Sequence, residues 1–211
     1  MESEGHRPRW IELVSTILLA LATVATAWAG YQASRWGGEQ AKAQARANAA
    51  RIEASRAADL ANGQTQVDVA TFIQWVDAYA HKDDELTDFY DARFRPEFKP
   101  AVDAWIATRP LENPDAPLTP FAMPEYKLAA TTDAERLDAT ANAEAATARR
   151  DIDRANRYVL CVVLFAASLF FAGMSTRMRS TAAETAVLVI GCILFLSALA
   201  WMASFPVSAS F

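Results

Sequence analysis

The chain has 211 residues, of which 53% are apolar, and it carries a formal net charge of −5. These values would suit one soluble domain if the apolar residues were evenly spread, but three long runs carry no charge at all. The runs are residues 13–34, 158–176 and 185–211. Each reaches the roughly 18 to 20 residues that cross about 30 Å of hydrocarbon. We therefore predict three transmembrane helices, with the lipid bilayer as their surroundings, and favour this over three buried helices of a soluble protein.

The first run also imitates a secretory signal. Arg7 and Arg9 precede it, and the small residues Ala27 and Ala29 flank Trp28 as at a cleavage site. The apolar stretch is long for that role, so we predict a retained membrane anchor. The predicted organisation is an N-terminal segment with transmembrane helix 1 (1–34), an extramembrane region (35–157), and transmembrane helices 2 and 3 (158–211).

The extramembrane region is predicted to contain a helical hairpin. Its two ends, residues 38–61 and 131–158, are alanine-rich, charged and free of proline, as in long helices that continue the adjoining spans. Thr132 and Glu135 have the spacing of a capping box at the start of the second helix. Small residues recur at nearly heptad spacing, which predicts close packing of the two helices or of several subunits. The predicted seam residues are Ala41, Ala45, Ala49, Ala134, Leu137, Ala141, Ala145, Ala148, Ile152, Ala155 and Val159.

A small helical cap is predicted at the end of the hairpin. The stretch NGQTQ, with Gly63, predicts a break after the first helix. Three amphipathic segments follow, and their bulky faces need mutual burial. These faces are Val69, Phe72, Ile73, Val76, Tyr79 and Ala80, then Leu86, Phe89, Tyr90 and Phe94, then Phe98, Val102 and Trp105.

A proline-rich strap leads from the cap to the second hairpin helix. Pro96 suits a helix start, whereas the proline spacing from Arg109 to Pro124 predicts extended, polyproline-like chain of roughly 45 Å. Apolar side chains along the strap are predicted to anchor it on the cap. These anchors are Leu111, Leu118, Phe121, Met123 and Tyr126. The alternative is that the strap docks into an aromatic-lined groove of a partner.

One polar cluster has residue types that bind metal ions. On a single helix, His81, Glu85 and Asp88 would share a face and could meet a divalent cation. The simpler interpretation is that Asp83 or Asp84 caps a helix, with Glu85 near its positive end. The chain has two histidines and no phosphate loop, nucleotide fingerprint or nucleophile elbow. We therefore predict no enzyme activity and no cofactor.

Small residues in the first span predict close helix packing in lipid. One ridge is Ala22, Thr26, Gly30 and Ser34, and the adjacent ridge is Ala25, Ala29 and Ala33. Packing against copies of the chain and packing within one three-helix bundle explain these ridges equally well. Several first spans around one axis would also form a pore.

Two glycines, Gly37 and Gly38, follow the first span. Each weakens a helix by about 1 kcal/mol relative to alanine. We consider a hinge between span and hairpin, and close packing against a neighbouring helix, as equal explanations.

Basic residues flank the spans on both sides of the membrane, so their number alone gives conflicting indications of orientation. Arg7 and Arg9 must lie on the same side as Arg177 and Arg179 in the short turn between the second and third spans. Because the charge rule applies to short loops rather than to long translocated regions, this turn is the better indicator. It predicts a cytoplasmic N-terminus and an extracytoplasmic central domain.

Several stretches of the chain resemble a family of bacterial integral membrane proteins with three spans. The likeness covers most of the chain, including RWGGEQA, RFRPEFKPA and NPDAPLTPFAMPEY. That family has no assigned activity, so the resemblance implies a bacterial inner-membrane location and no catalytic residues.

The predicted fold is all-α, with three transmembrane helices, a long antiparallel helical hairpin, and a small helical cap with its proline-rich strap outside the bilayer. We expect a non-enzymatic structural or interaction role, through self-assembly or association with another membrane protein, and no nucleic acid partner. A homo-oligomeric pore lined by transmembrane helix 1 is the alternative.

Overall fold

The computed structural model describes residues 9–178 and 180–208 and confirms the all-helical fold over these ranges. Three helices are long and apolar enough to cross a membrane. His6, Arg7 and Arg179 lie outside the described residues. The helices are α1 (Arg9–Ala80), α2 (Asp84–Asp91), α3 (Lys99–Ala107), α4 (Ala129–Ser175) and α5 (Thr181–Met202), with a 3-10 turn at Pro120–Ala122. As predicted, α1 and α4 form an antiparallel hairpin.

The chain divides into two compact units, and both long helices contribute to each. We call them the spanning unit (Met1–Ala45 with Glu144–Phe211) and the central unit (Arg46–Ala143). The spanning unit contains the apolar parts of α1 and α4 and all of α5. The central unit contains the remainder of α1 with α2, α3, the strap and the start of α4.

The core of the spanning unit joins α1, α4 and α5. Ile11 and Ala29 of α1 pack in one cluster with Phe165 of α4 and Leu188 of α5. Helices α4 and α5 pack tightly at Gly191, where an added Cβ would lie 3.3 Å from the Cβ of Phe171. The Ser168 hydroxyl donates to the Gly191 carbonyl at 2.9 Å. The small size of Gly191 therefore matches tight packing within the chain.

The alanine seam of α1 differs from the predicted one. Ala43, Ala47 and Ala54 are buried, whereas Ala41, Ala45 and Ala49 are exposed. Alanine stands at every second position in this stretch, so the sequence contains two candidate seams and the pattern alone does not choose between them.

The seam of α4 is partly as predicted. Ala141, Ala148 and Ala155 are buried, but Ile152 and Val159 point outward. Asp151 and Tyr158 take the buried positions instead. The Arg154 guanidinium donates to Asp151 at 2.9 Å, so the buried carboxylate is paired.

Two predicted helix boundaries are wrong. Helix α1 continues through Gly63 without a break, because buried residues on both sides, Ala61 and Asp68, keep its packing face. Helix α4 begins at Ala129, before the predicted capping box at Thr132. A carboxylate distant in sequence caps it, since the Ala129 amide donates to Glu97 Oε1 at 3.4 Å.

The cap forms as predicted, with an aromatic core in the central unit. Phe98 and Val102 are fully buried there. The rings packed with them come from α1, α2, the segment before α3, α3 itself and the strap, and they are Phe72, Trp75, Tyr90, Phe94, Trp105, Phe121 and Tyr126.

The packing face of α1 in the cap agrees with the predicted one only at Phe72. The buried residues are Phe72, Trp75 and Ala78, while Ile73 and Tyr79 are exposed. In an unbroken helix, residues seven positions apart lie on nearly the same face. The buried residues of α1 follow this spacing from Ala47 to Trp75. The series is Ala47, Ala54, Ala61, Asp68 and Trp75.

The strap consists of tight turns and not of the extended chain that its prolines predict. The Glu112 amide donates to the Arg109 carbonyl at 2.9 Å, which places Pro110 at the second position of a turn. The Ala116 amide donates to the Asn113 carbonyl at 3.1 Å, with Pro114 at the same position. The estimate of 45 Å is therefore wrong. Phe121 and Tyr126 do anchor the strap on the cap, whereas Leu111 and Leu118 do not.

Candidate functional site

The three residues considered for a metal ion do not share a helix. His81 lies in the turn after α1, with its Nδ1 2.8 Å from the Asp77 carbonyl oxygen, whereas Glu85 and Asp88 belong to α2. Asp83 caps α2 by accepting the Leu86 amide at 3.0 Å, which confirms the capping interpretation. Within residues 9–178 and 180–208, no group of three or more His, Cys, Asp or Glu side chains is placed to hold a metal ion.

The first span presents three different faces. The buried face contacts α4 and α5 and includes Ala22, Ala25 and Ala29. A second face carries large apolar side chains, and it consists of Leu13, Ile17, Leu21, Val24, Trp28 and Tyr31. The third face is exposed and has only small or hydroxyl side chains: Thr16, Ala20, Thr23, Ala27, Gly30 and Ser34.

The predicted ridge of Ala22, Thr26, Gly30 and Ser34 is thus divided between two faces. Ala22 is buried in the bundle, Thr26 is half-buried, and Gly30 and Ser34 belong to the exposed small-residue face. An added Cβ on Gly30 would meet nothing within 4 Å. The chain itself therefore gives no packing reason for glycine at this position.

The predicted hinge glycines lie inside continuous helix. Helix α1 passes through both Gly37 and Gly38. An added Cβ on either would meet no atom within 4 Å. Close packing within the chain therefore does not explain them, and the hinge stays a prediction.

The cap carries a groove of about 480 Å³ between α1, α2, α3 and the first part of the strap. Its walls are aromatic and aliphatic, and a charged pair lies at its strap side. The lining residues are Trp75, Val76, Tyr79, Thr87, Trp105, Ile106, Arg109, Pro110, Leu111 and Glu112. A mostly apolar groove with few polar groups has the character of a recognition site.

The two tryptophans of the groove differ in their hydrogen bonding. The Trp105 indole Nε1 donates to the Pro117 carbonyl of the strap at 2.7 Å. Trp75 is only 7% exposed, and its indole Nε1 is buried without a hydrogen-bond partner. A buried donor without a partner costs about 1–3 kcal/mol.

Arg109 enters the groove wall in a left-handed backbone conformation, with φ of 51°. Its carbonyl accepts the amides of Glu112 and Asn113, both at 2.9 Å, and so starts the strap. Glycine is the usual residue at such a position after a helix, because it lacks the Cβ that crowds the backbone.

Replacement of Arg109 with glycine is expected to raise the free energy of unfolding of the central unit by about 0.5–1 kcal/mol. Urea denaturation of the full chain in nanodiscs, followed by near-ultraviolet circular dichroism, measures this change. Lys82 provides a second test outside the groove lining, since its φ is 56°. Lys82→Gly should raise the free energy of unfolding by a similar amount. An unchanged or lowered stability in both variants would contradict the strain at these positions.

A buried polar network lies beside the aromatic core. Asp68 of α1 is fully buried, and it accepts the Arg95 guanidinium at 2.8 Å and the Tyr126 hydroxyl at 3.1 Å. Arg95 also pairs with Glu97, the residue that caps α4. The network thereby ties α1, the segment before α3 and the end of the strap together.

Burial determines the protonation behaviour of this network. Desolvation raises the pKa of Asp68 above 3.8, against the lowering effect of Arg95 and of the hydrogen bond from Tyr126. Desolvation likewise raises the pKa of Tyr126 above 10.0. The network residues lie 27 and 58 positions from Asp68 in the chain, so no local motif in the sequence marks it.

These features define an all-helical protein with three helices able to cross a membrane and a cap that carries an aromatic groove. Comparisons of the chain with protein-family models, with curated proteins and with solved structures give no match. The resemblance to a bacterial membrane family therefore stays a prediction.

Proposed function

We propose that this chain is a non-enzymatic structural or interaction protein of the bacterial inner membrane that assembles with copies of itself. The observation that carries the proposal is the exposed small-residue face of the first span, which no other part of the described chain covers. Association with another membrane protein through the same face is the alternative partner.

The physical argument rests on how helices associate in lipid. Because lipid tails are as apolar as leucine, helices associate through close packing, which small residues permit. The large face of α1, with Val24 and Trp28, suits lipid, whereas Gly30 and Ala27 leave space for a second backbone. Gly191 provides the contrast, since its small size already matches tight packing within the bundle.

A homo-oligomeric pore lined by the first span is the second candidate function. The hydroxyl groups of Thr16, Thr23 and Ser34 on the exposed face favour it, because weakly polar residues could line a water-filled path. The Thr23 hydroxyl donates to the Leu19 carbonyl of its own helix at 2.7 Å. It can therefore face either an apolar environment or a water-filled path.

We further propose that the central unit is extracytoplasmic. The support is the arginine pair of the short turn between the second and third spans, which includes Arg177. A cysteine introduced at the exposed cap position Phe89, in a background with Cys161→Ala and Cys192→Ala, should react with a membrane-impermeant thiol reagent in intact cells. Absence of labelling would contradict this orientation.

Native mass spectrometry of the full chain in nanodiscs tests the assembly. We expect a discrete oligomer for the wild type and a monomer for Gly30→Leu, because the added side chain would prevent close backbone approach. Val24→Leu is the matched control on the large face, and it should leave the oligomer intact. A monomeric wild type would overturn self-assembly.

Conductance recordings on the same preparation separate the two candidate functions. A closed oligomer that conducts ions, with current lost in Gly30→Leu, supports the pore. A closed oligomer without conductance supports the structural role.

A further inference from the structure

We propose that the groove of the cap binds residues Asp115–Leu118 from the strap of a second copy of this chain. The proposal deepens the self-assembly described above, and it rests on that assembly. It names a contact in the central unit, whereas the proposed function rests on the first span.

Leu118 is the first reason for this choice. It is 94% exposed, although the neighbouring strap residues are fixed by the Trp105–Pro117 hydrogen bond and by buried Pro120. A leucine held in water by a rigid turn gains apolar burial without a further loss of chain freedom when a partner covers it. Leu111, at the groove edge, is 82% exposed and would be covered by the same contact.

The groove offers what the proline-containing turn around Leu118 needs. Aromatic-lined grooves bind proline-containing chain through ring contacts and hydrogen bonds to its carbonyl groups. This chain already makes one such bond internally, from Trp105 to Pro117. Trp75 also lines the groove, and its ring adds apolar surface for the incoming strap to contact.

Charge complementarity supports the same occupant. Asp115 is exposed and forms no ion pair with any residue of the described chain. Arg109, in the groove lining, is exposed and has only a distant pairing with Glu112 at 3.7 Å. With Leu118 in the groove, Asp115 of the same strap would lie within reach of Arg109 of the other copy.

The position of the strap allows a two-fold arrangement. The strap is held to the groove by Trp105, which lines the groove and also bonds Pro117. The surface that donates Leu118 therefore borders the surface that receives it. This is the arrangement that a reciprocal interface between two copies requires.

Directed disulfide formation tests the contact in the full chain. Two differently tagged chains are co-expressed in a background with Cys161→Ala and Cys192→Ala, one carrying Leu118→Cys and the other Val76→Cys in the groove wall. We expect an oxidised heterodimer from this pair. Leu118→Cys with Leu60→Cys is the matched control, because Leu60 is exposed on the same helix outside the groove, and it should give none.

Substitution of Leu118 provides the second measurement. Leu118→Ser is expected to weaken the affinity between copies of the chain in nanodiscs by about 10- to 100-fold. Leu60→Ser should leave this affinity unchanged. Arg109→Asp and Asp115→Arg should each weaken association, and the two changes in one chain should restore it. A general folding defect would not be rescued in this way.

The possible results separate the two proposals. This contact is overturned if the oligomer keeps its mass in Leu118→Ser and no disulfide forms between Leu118→Cys and Val76→Cys. Assembly through the spans then remains. In that case, the groove has another occupant. A monomeric wild type overturns both proposals.

Discussion

Replacement of Phe98 with alanine is expected to lower the free energy of unfolding of the central unit by about 3–5 kcal/mol. Phe98 is fully buried, and its ring lies 4.9 Å from Phe121, 5.3 Å from Phe94 and 5.6 Å from Tyr126, measured between ring centroids. These neighbours come from separate segments of the cap, so they cannot all move inward to fill the space. The lost contacts and the cavity both contribute to the cost.

Hydrogen exchange measured by mass spectrometry on the full chain in nanodiscs reports this loss for the cap alone. Peptides from residues 68–126 should lose protection in Phe98→Ala, because local opening then requires less free energy. Phe89→Ala, at an exposed ring of α2, is the control and should cost less than about 1 kcal/mol. Equal effects at both positions would contradict the central role of Phe98.

The spans and the cap could be predicted because their signals are local or compositional. An uncharged apolar run predicts a span by length alone, and Asp83 caps α2 through an interaction within one turn. The strap differs from the extended chain that its proline count predicts, because its turn-forming residues determine the local conformation. Asn113, Pro114 and Asp115 form a turn motif, and the Asn113 side chain accepts the Asp115 amide at 3.0 Å.

The faces of α1 required information from distant parts of the chain. Alternating alanines leave two possible seams near Ala41 and Ala43, and only the partner helix selects one. That choice then determines the cap, because the continuous helix carries the same seam to Trp75. A break at Gly63 would allow the following helix to rotate independently of this seam. The prediction of Ile73 and Tyr79 in the core depends on that break, which the structure does not contain.

The candidate site was the least predictable feature. The groove arises where α1, α3 and the strap meet, and its lining combines Trp75 with residues some 30 to 37 positions later, such as Trp105 and Glu112. Leu111 and Leu118 were predicted to be anchors because apolar residues usually face a core. Their exposure in the structure is what makes them informative about a partner.

Replacement of Arg95 with methionine is expected to destabilise the central unit by about 3–5 kcal/mol at neutral pH. The change keeps a similar side-chain volume but leaves the fully buried Asp68 carboxylate with only the Tyr126 hydroxyl as a partner. Breaking a buried pair costs more than the pair contributes, because one charge is then buried without compensation. Urea denaturation of the full chain in nanodiscs measures this effect.

Asp68→Asn is the matched variant for Arg95→Met, since it removes the charge and keeps an acceptor for Tyr126. The double variant should be less destabilised than the sum of the single changes, because no uncompensated carboxylate remains. Additive losses would contradict a direct coupling between Asp68 and Arg95.

The pH dependence of stability gives an independent test of the same network. Because the pKa of Asp68 is raised in the folded chain, the folded state binds this proton more tightly than the unfolded state does. The stabilisation from that proton is complete below 3.8, the ordinary value, and is lost as pH rises through the folded pKa. Because Arg95 lowers this pKa, Arg95→Met should raise it, so the stabilisation should persist to a higher pH before it is lost. Asp68→Asn should remove this pH dependence of stability. A decrease in stability on acidification through the same range, absent in Asp68→Asn, would instead mean that Arg95 outweighs burial.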